Sequence, residues 1–260
     1  FGKNLKMSKN LYMEKIGKKA RKASLHLSKM NFIKKNEVLK LFSKYLRVNS
    51  NLILHANKKD IFKAKSKKMR ESIIQRLKLD EKKIKQIINS IEQIIKFQDP
   101  VGKVLSSWKR PNGLVIKRMS TPIGVIGVIY ESRPNVTSDV SSLCFKSGNV
   151  VILRGGSEAF HSNQVLSKLF RKALKKKKCD ENCIQFIDDT DRKHVDYFLS
   201  SMKKYVDVII PRGGKGLVKK VLKKSSVSII GHYEGICHVY VDHEADLNMA
   251  IKVTKNSKMR

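Results

Sequence analysis

The chain has 260 residues, enough to bury a substantial core as one large domain or as two. Hydrophobic residues make up 41% of it and charged residues 30%, which is typical of a globular protein. No apolar run reaches the roughly 18 residues of a membrane span, and the N-terminus shows no secretory signal. We therefore expect neither a membrane-spanning nor a secreted protein.

The formal net charge of +34 is extreme and has two interpretations. The functional one is a protein that binds nucleic acid or another anionic surface. The other is a general enrichment in lysine. Only 12 of the 56 basic residues are arginine, which base readout and phosphate recognition favour, and the lysines are spread over every predicted helix. We favour enrichment over nucleic-acid binding, although such a field still attracts phosphorylated small molecules.

The four cysteines are few and scattered, which fits a reducing, cytoplasmic location. Cys179 and Cys183 have C-x3-C spacing, but no second Cys or His pair completes a zinc pattern. We therefore predict no metal site. Cys144 lies on the apolar face of a predicted helix and is expected in the core.

The first hundred residues predict helices. Apolar residues recur at helical spacing over 11–27, in a second helix after Asn31, over 49–57, and in a long helix from Asp80 to Ile95. After Asp99-Pro100, two strand-like runs flank Asn112-Gly113, which predicts a hairpin over 101–119.

A strand, a helix and a second strand follow. Residues 123–129 and 150–153 are β-branched apolar runs without charge, typical of strands buried on both faces. Between them, 140–146 has helical spacing and ends before Gly148. This βαβ unit predicts a parallel sheet, with ligands bound beyond the carboxyl ends of its strands.

The alternation continues to residue 230. The predicted helices are 162–174, 191–199 and a segment around 217–222, and the predicted strands are 184–187, 206–210 and 227–230. Strands that alternate with helices in this way predict an α/β fold with a doubly wound parallel sheet.

Four segments carry a specific resemblance. They are G-V-I-Y-E-S-R-P-N-V-T (127–137), V-I-L-R-G-G-S-E (151–158), V-D-V-I-I-P-R-G-G-K-G-L (206–217) and G-I-C-H-V-Y-V-D (235–242). They resemble the γ-glutamyl phosphate reductase family (glutamate-5-semialdehyde dehydrogenases) of the aldehyde dehydrogenase superfamily. The resemblance implies an NADP-binding domain over 7–230 that includes the hairpin 101–119. Residues 231–260 would begin a catalytic domain and leave it incomplete.

Within 231–260, the resemblance implies a strand at 239–241 and a helix at 244–255, with Leu247, Ala250, Ile251 and Val253 as core. It also implies that the hairpin pairs with a neighbouring subunit, so that the protein forms a homo-oligomer. The alternative is an ordinary surface hairpin on which Trp108 is half-buried.

The implied reaction is NADPH-dependent reduction of L-glutamate 5-phosphate to L-glutamate 5-semialdehyde and phosphate, in L-proline biosynthesis, through a cysteine thioester. The family's nucleophilic Cys follows an N-A-K motif, which corresponds to Asn256-Ser257-Lys258 here. None of the four cysteines matches it, so a sequence truncated before the nucleophile is expected. Two alternatives stay open. One is the reductase part of a bifunctional protein with glutamate 5-kinase, and the other is an inactive remnant that binds only cofactor or nucleic acid.

The resemblance also implies site residues. Arg154 would fork to the 2′-phosphate that distinguishes NADP from NAD, unless it is a surface arginine. The remaining implied cofactor residues are Ser157, Glu158, Gly213, Gly214 and Lys215. Ser157 and Glu158 match the superfamily's Ser-Glu pair, in which Glu would meet ribose hydroxyls. Gly213 and Gly214 would meet the pyrophosphate at a helix N-terminus, where Lys215 adds charge, unless P-R-G-G-K-G is a plain turn.

Two residues of the E-S-R-P-N loop are implied substrate ligands. Asn135 would polarise the reacting carbonyl as the oxyanion donor, and Arg133 would meet the phosphate or carboxylate. The alternative for Asn135 is that it caps the helix that follows.

Overall fold

The computed structural model describes residues 2–231 and 237–259. Its centre is a five-stranded parallel sheet in the order β5-β4-β3-β6-β7, and a separate two-stranded antiparallel hairpin is formed by β1 and β2. The strands are β1 (Val104–Lys109), β2 (Val115–Met119), β3 (Val125–Tyr130), β4 (Val150–Gly155), β5 (Ile184–Phe186), β6 (Val208–Arg212) and β7 (Ser228–Ile229). The predicted doubly wound parallel sheet is confirmed.

Five helices precede the hairpin: α1 (Gly2–Leu27), α2 (Phe32–Val48), α3 (Ser50–Ser66), α4 (Glu71–Leu77) and α5 (Glu81–Lys96). Asn31 and Asp80 cap α2 and α5 by accepting hydrogen bonds from backbone amides three residues ahead. The predicted third helix, 49–57, covers only the first half of α3, and α4 was not predicted. The buried face of α3 contains Asn57 and Asp60, so its apolar periodicity is interrupted where the helix continues.

The predicted hairpin forms, and it stands away from the rest of the chain. Every residue of β1 is exposed, including Trp108, which lies opposite Ile116 and keeps 44% of its surface accessible. Gly113 adopts φ +85° in the turn, a left-handed conformation that glycine adopts without steric cost.

The helices between the strands of the parallel sheet are α6 (Pro134–Lys146), α7 (Phe160–Lys176), α8 (Arg192–Ser200) and α9 (Lys215–Lys224). β3 and β4 are buried along their whole length, as the uncharged apolar runs 123–129 and 150–153 predict. α2, α3 and α5 pack on α6 and α7, while α1 packs against β3, β4, β5 and α8.

The entry to β3 is fixed by one half-buried acidic residue, Asp207. Both Asp207 oxygens accept hydrogen bonds from the Arg21 guanidinium of α1, at 2.9 Å each, and Asp207 Oδ2 also accepts from the Val125 amide at 2.7 Å. Gly124 precedes the strand with φ +124°, and a Cβ there would lie 2.2 Å from Asp207 Oδ2. A glycine is therefore required at position 124.

Two predictions for the C-terminal segment are wrong. Residues 239–241 form no strand, because their backbone has no partner strand within the described residues. The last helix is α10 (Leu247–Lys258), and it buries no residue. Leu247, Ile251 and Val253 are 70%, 62% and 50% exposed, so they are not core in this structure.

The predicted start of the catalytic domain includes 232–236 and Arg260, which lie outside the described residues. Within the described residues, no helix combines the length and the apolar character needed to cross a membrane.

Candidate functional site

The carboxyl ends of three neighbouring strands lie level with one another. Tyr130, at the end of β3, is in register with Gly155 of β4 on one side and with Arg212 of β6 on the other. The chain runs outward from β3 to β4 and later returns to form β6, so the topological switch point lies between β3 and β6. Ligands of doubly wound sheets bind in the crevice at this point.

Hydrogen bonds join the three loops that follow these strands. Glu158 Oε1 accepts from the Ser132 amide at 2.7 Å and from the Ser132 hydroxyl at 2.8 Å. Glu131 Oε2 accepts from the Gly214 amide at 2.9 Å. Ser132 has φ +40°, an uncommon conformation for a residue with a side chain, and Glu158 holds it there. Neither Glu131 nor Ser132 was predicted as a site residue, although both belong to the polar E-S-R-P-N loop.

The predicted pyrophosphate residues lie at a helix N-terminus. Gly214 is the N-cap of α9, and the exposed Lys215 begins the helix, while contact with a pyrophosphate stays a prediction. A Cβ on Gly213 would lie 2.6 Å from Glu131 Oε2, whereas one on Gly214 would meet nothing closer than 3.8 Å. A side chain at 213 would therefore have to displace the Glu131 carboxylate, whereas the backbone at 214 is left open to an approaching anion.

Arg154 is buried, with 7% of its surface accessible, so the alternative of a surface arginine is wrong. Its guanidinium donates hydrogen bonds to the carbonyls of Gly155 and Thr190, the latter at 3.2 Å. Its Nε has no partner among the described residues. Burial lowers the Arg154 pKa, and the Glu158 carboxylate partly offsets this effect. The fork to a 2′-phosphate stays a prediction.

Ser157 and Glu158 lie in a short 3₁₀ turn, Ser157–Ala159, between β4 and α7. Ser157 is exposed, while Glu158 is half-buried and turned toward Ser132. The structure thus places both residues at the mouth of the crevice, and the contact of Glu158 with ribose hydroxyls stays a prediction.

Asn135 does not cap α6, because the N-cap position belongs to the exposed Arg133. Asn135 lies in the first turn, where its amide donates to Asp139 Oδ2 at 3.0 Å. Burial raises the Asp139 pKa, and the Asn135 hydrogen bond partly offsets this. The predicted role of Asn135 as an oxyanion donor remains open.

Asn135 and Asp139 line a cavity of about 340 Å³ between α5 and α6, together with the basic side chains of Arg76, Lys78 and Lys83. The three cations come from α4, from the connection to α5 and from the first turn of α5. They were not predicted as site residues, because only the tertiary packing brings them to the N-terminus of α6.

A buried polar cluster holds the start of α7, which follows the Ser157–Ala159 turn. Asp60 accepts from the amides of His161 and Ser162, at 3.0 and 2.8 Å, and from the Ser162 hydroxyl at 2.7 Å. Asn57 donates to the same hydroxyl at 3.1 Å and accepts from the Leu79 amide at 2.8 Å. This cluster ties α3 and the start of α5 to the loop that presents Glu158.

None of the four cysteines lies in the three loops. Burial raises the pKa of Cys144 and of Cys183 to about 12, and it also raises the pKa of Cys179. Buried thiols of this kind are poor nucleophiles, because the thiolate is the reactive form. Cys144 is core, as predicted.

Comparison with known proteins decides the family. The aldehyde dehydrogenase family model matches residues 4–260. The chain belongs to the aldehyde dehydrogenase family. Members of this family use a nicotinamide cofactor.

Three relatives of the chain are each named γ-glutamyl phosphate reductase. The γ-glutamyl phosphate reductase of Bartonella tribocorum is 44% identical over 245 residues, which is 94% of this aldehyde dehydrogenase family chain and 60% of the relative. The crystal structure of the enzyme of that name from Thermotoga maritima matches with a TM-score of 0.88 at 40% identity, covering 95% of this chain and 60% of the other. The crystal structure of the Saccharomyces cerevisiae enzyme of that name matches with a TM-score of 0.79 at 30% identity, covering 95% of this chain and 62% of the other. The chain thus spans about 60% of the length of the relatives it matches, and the aldehyde dehydrogenase-like fold is confirmed.

Proposed function

We propose that this chain forms the cofactor-binding part of an NADPH-dependent γ-glutamyl phosphate reductase. The whole protein would reduce L-glutamate 5-phosphate to L-glutamate 5-semialdehyde and phosphate, in L-proline biosynthesis. The observation that carries the proposal is the 40% identity and TM-score of 0.88 to the Thermotoga maritima reductase. In the proposed division, residues 7–230 bind the cofactor and 231–260 begin the catalytic domain.

The crevice has the chemistry that a dinucleotide needs. The diphosphate would bind at the N-terminus of α9, where backbone amides and the helix dipole favour an anion and Lys215 adds a positive charge. The open space at Gly214 lets a phosphate approach the backbone. Ser157 and Glu158 are placed to meet ribose hydroxyls. The bound nicotinamide supplies the hydride.

Arg154 would select NADPH over NADH through the 2′-phosphate. Its guanidinium lies at the end of β4, next to the loop of Ser157 and Glu158, and its Nε–H is unpaired within the part of the chain that the structure describes. A phosphate contact would compensate the burial that lowers its pKa.

The anionic substrate would meet the N-terminus of α6. Arg133 is exposed there, and Asn135 faces the cavity that Arg76, Lys78 and Lys83 surround. These cations would attract the phosphate and carboxylate groups of L-glutamate 5-phosphate. To polarise the reacting carbonyl, the Asn135 amide would exchange its hydrogen bond to Asp139 for one to the substrate.

The thiol nucleophile is proposed to lie in the part of the relatives that this sequence does not cover, because none of the four cysteines lies in the site loops. The 260-residue chain by itself would then bind cofactor without forming a thioester.

The hairpin is proposed to pair with a neighbouring subunit. Its exposed apolar residues include Leu105, Trp108 and Val115, and burial of such side chains stabilises subunit contacts. No observation favours the alternatives of a glutamate 5-kinase partner, an inactive remnant or a nucleic-acid binder, and the cytoplasmic location remains an expectation.

Two measurements test the proposal. Protein isolated from its own cells is assayed in the reverse direction, with glutamate 5-semialdehyde, phosphate and NADP⁺, and its intact mass is determined. Phosphate-dependent NADPH formation is the expected result, and its absence from a protein that binds NADPH would refute the reductase assignment.

The second measurement is a titration of the 260-residue chain with NADPH and with NADH by cofactor fluorescence. Saturable binding that favours NADPH is expected, and Arg154→Lys should reduce that preference because it loses the planar fork. An unchanged preference in a variant with unchanged thermal stability would refute the role of Arg154.

A further inference from the structure

A second basic cavity lies at the edge of the sheet, away from the switch point. Its volume is about 370 Å³, and its walls come from α1, α7 and the edge strand β5. None of its lining residues belongs to the three loops of the candidate site. The charged residues that line it are Lys15, Lys19, Lys168, Arg171 and Asp188.

The positive charges of this cavity are largely uncompensated. Lys15 and Lys19 are one turn apart on α1, and neither they nor Lys168 of α7 forms an ion pair within the described part of the chain. Arg171 is partly neutralised by Glu181 at 3.3 Å. The lining therefore has four cations and one carboxylate, a formal charge of 4 − 1 = +3.

The single carboxylate of the lining is already bound. Asp188 Oδ1 accepts a hydrogen bond from the Tyr12 hydroxyl at 2.5 Å, and the Asp188 amide donates a hydrogen bond to the Tyr12 hydroxyl oxygen at 3.2 Å. The Tyr12 ring also packs against His194, with 5.2 Å between the ring centroids. Asp188 is thus held by Tyr12, and a ligand anion would meet the lysines without a competing mobile carboxylate.

The base of the cavity is ordered and partly apolar. Gln185 is 5% exposed and donates to the Ile16 carbonyl at 2.9 Å, which joins β5 to α1. Ile16 and Phe186 add apolar surface beside it. Like charges on neighbouring helix positions repel one another, so the cluster costs stability unless an anion lies between them.

We propose that this cavity binds the phosphate group of a small phosphorylated molecule. Lysines act as flexible point charges that suit phosphate, and three of them converge here from two helices. The phosphate comes either from an inorganic anion or from a nucleotide whose planar base covers Phe186.

The experiment titrates the 260-residue chain at physiological ionic strength with inorganic pyrophosphate and, separately, with AMP, by isothermal titration calorimetry. The test variant is Lys15→Gln/Lys168→Gln. The control is Lys63→Gln/Lys65→Gln on the exposed surface of α3, which removes the same charge. Saturable binding of at least one probe is expected, weaker by about tenfold in the test variant and unchanged within about twofold in the control.

Tighter binding of AMP than of pyrophosphate identifies a nucleotide as the source of the phosphate, and the reverse order identifies an inorganic anion. Equal weakening in the test and control variants overturns the proposal, because it shows general counterion association with a basic protein. Absence of saturable binding of both probes overturns it as well.

The proposal does not rest on the proposed reductase function. NADPH affinity of Lys15→Gln/Lys168→Gln should stay within about twofold of the unsubstituted chain, because these lysines lie outside the three site loops. A parallel loss of NADPH binding would overturn the assignment of a separate site.

Discussion

Glu131 should oppose cofactor binding. Its carboxylate accepts the hydrogen bond of the Gly214 amide at 2.9 Å, at the same helix N-terminus that a diphosphate would use. The cofactor diphosphate therefore has to displace the Glu131 carboxylate or bind beside it. Glu131→Gln keeps the size of the side chain and an oxygen that accepts from Gly214, but it removes the negative charge.

The size of the effect follows from the distance. Two unit charges about 4 Å apart repel by about 1 kcal/mol in water and by more near a protein surface. Glu131 is exposed, so the lower value applies, and about 1 kcal/mol corresponds to roughly fivefold in Kd. Glu131→Gln should thus bind NADPH about fivefold more tightly than the unsubstituted chain.

The assay is a fluorescence titration with NADPH at low and at high salt. The gain should shrink at high salt, because ions screen an exposed charge. Glu71→Gln, on the exposed surface of α4, removes the same charge elsewhere and should leave Kd nearly unchanged. Equal or weaker NADPH binding by Glu131→Gln, in a variant that remains folded, would refute the competition between Glu131 and the diphosphate.

Three other changes have expected outcomes. Gly214→Ala should weaken NADPH binding by about tenfold without lowering the melting temperature, whereas Gly216→Ala, whose Cβ would meet nothing within 4 Å, should leave binding unchanged; equal Kd values for both would contradict the diphosphate placement. Asp139→Asn should raise the melting temperature at neutral pH. Burial raises the pKa of Asp139 above its ordinary value of 3.8, so the folded state keeps the proton to a higher pH than the unfolded state does. The free energy of unfolding therefore falls as the pH rises from about 3.8 through the pKa of the folded state. A lower melting temperature of Asp139→Asn at pH 7 would contradict this. Trp108→Ser on the exposed hairpin should reduce the oligomer mass measured by light scattering without changing the melting temperature, and an unchanged mass would argue against pairing through the hairpin.

The sheet could be predicted because its strands have the simplest signal. β3 is an uncharged β-branched run, and β4 and β6 begin with runs of the same kind before their arginines, so the burial of these runs is visible in the sequence. The second half of α3 was missed because buried polar residues occupy its inner face. Asn57 and Asp60 look like surface residues until the contacts to Ser162 are known.

The location of the site was also predictable, since polar loops after buried parallel strands converge at one edge. The contacts within it were not. The hydrogen bonds of Glu131 to Gly214 and of Ser132 to Glu158 join residues that are 83 and 26 positions apart. The burial of Arg154 depends on the Thr190 carbonyl, which follows the next strand. The apolar face of α10 was predicted to be core and is exposed in the structure. Helical periodicity predicts that a helix has an apolar face, but it does not predict which element covers that face.

The contact between α1 and Asp207 has a consequence for synthesis on the ribosome. Arg21 and Asp207 are separated by 186 positions, so α1 is made long before one of its anchors. At about 5 to 20 residues per second, that delay is roughly 10 to 40 s. Until β3, β4 and β5 are made, the face formed by Met13, Ile16 and Ala20 has no sheet to cover it, so the nascent chain should be a client for chaperones over that interval.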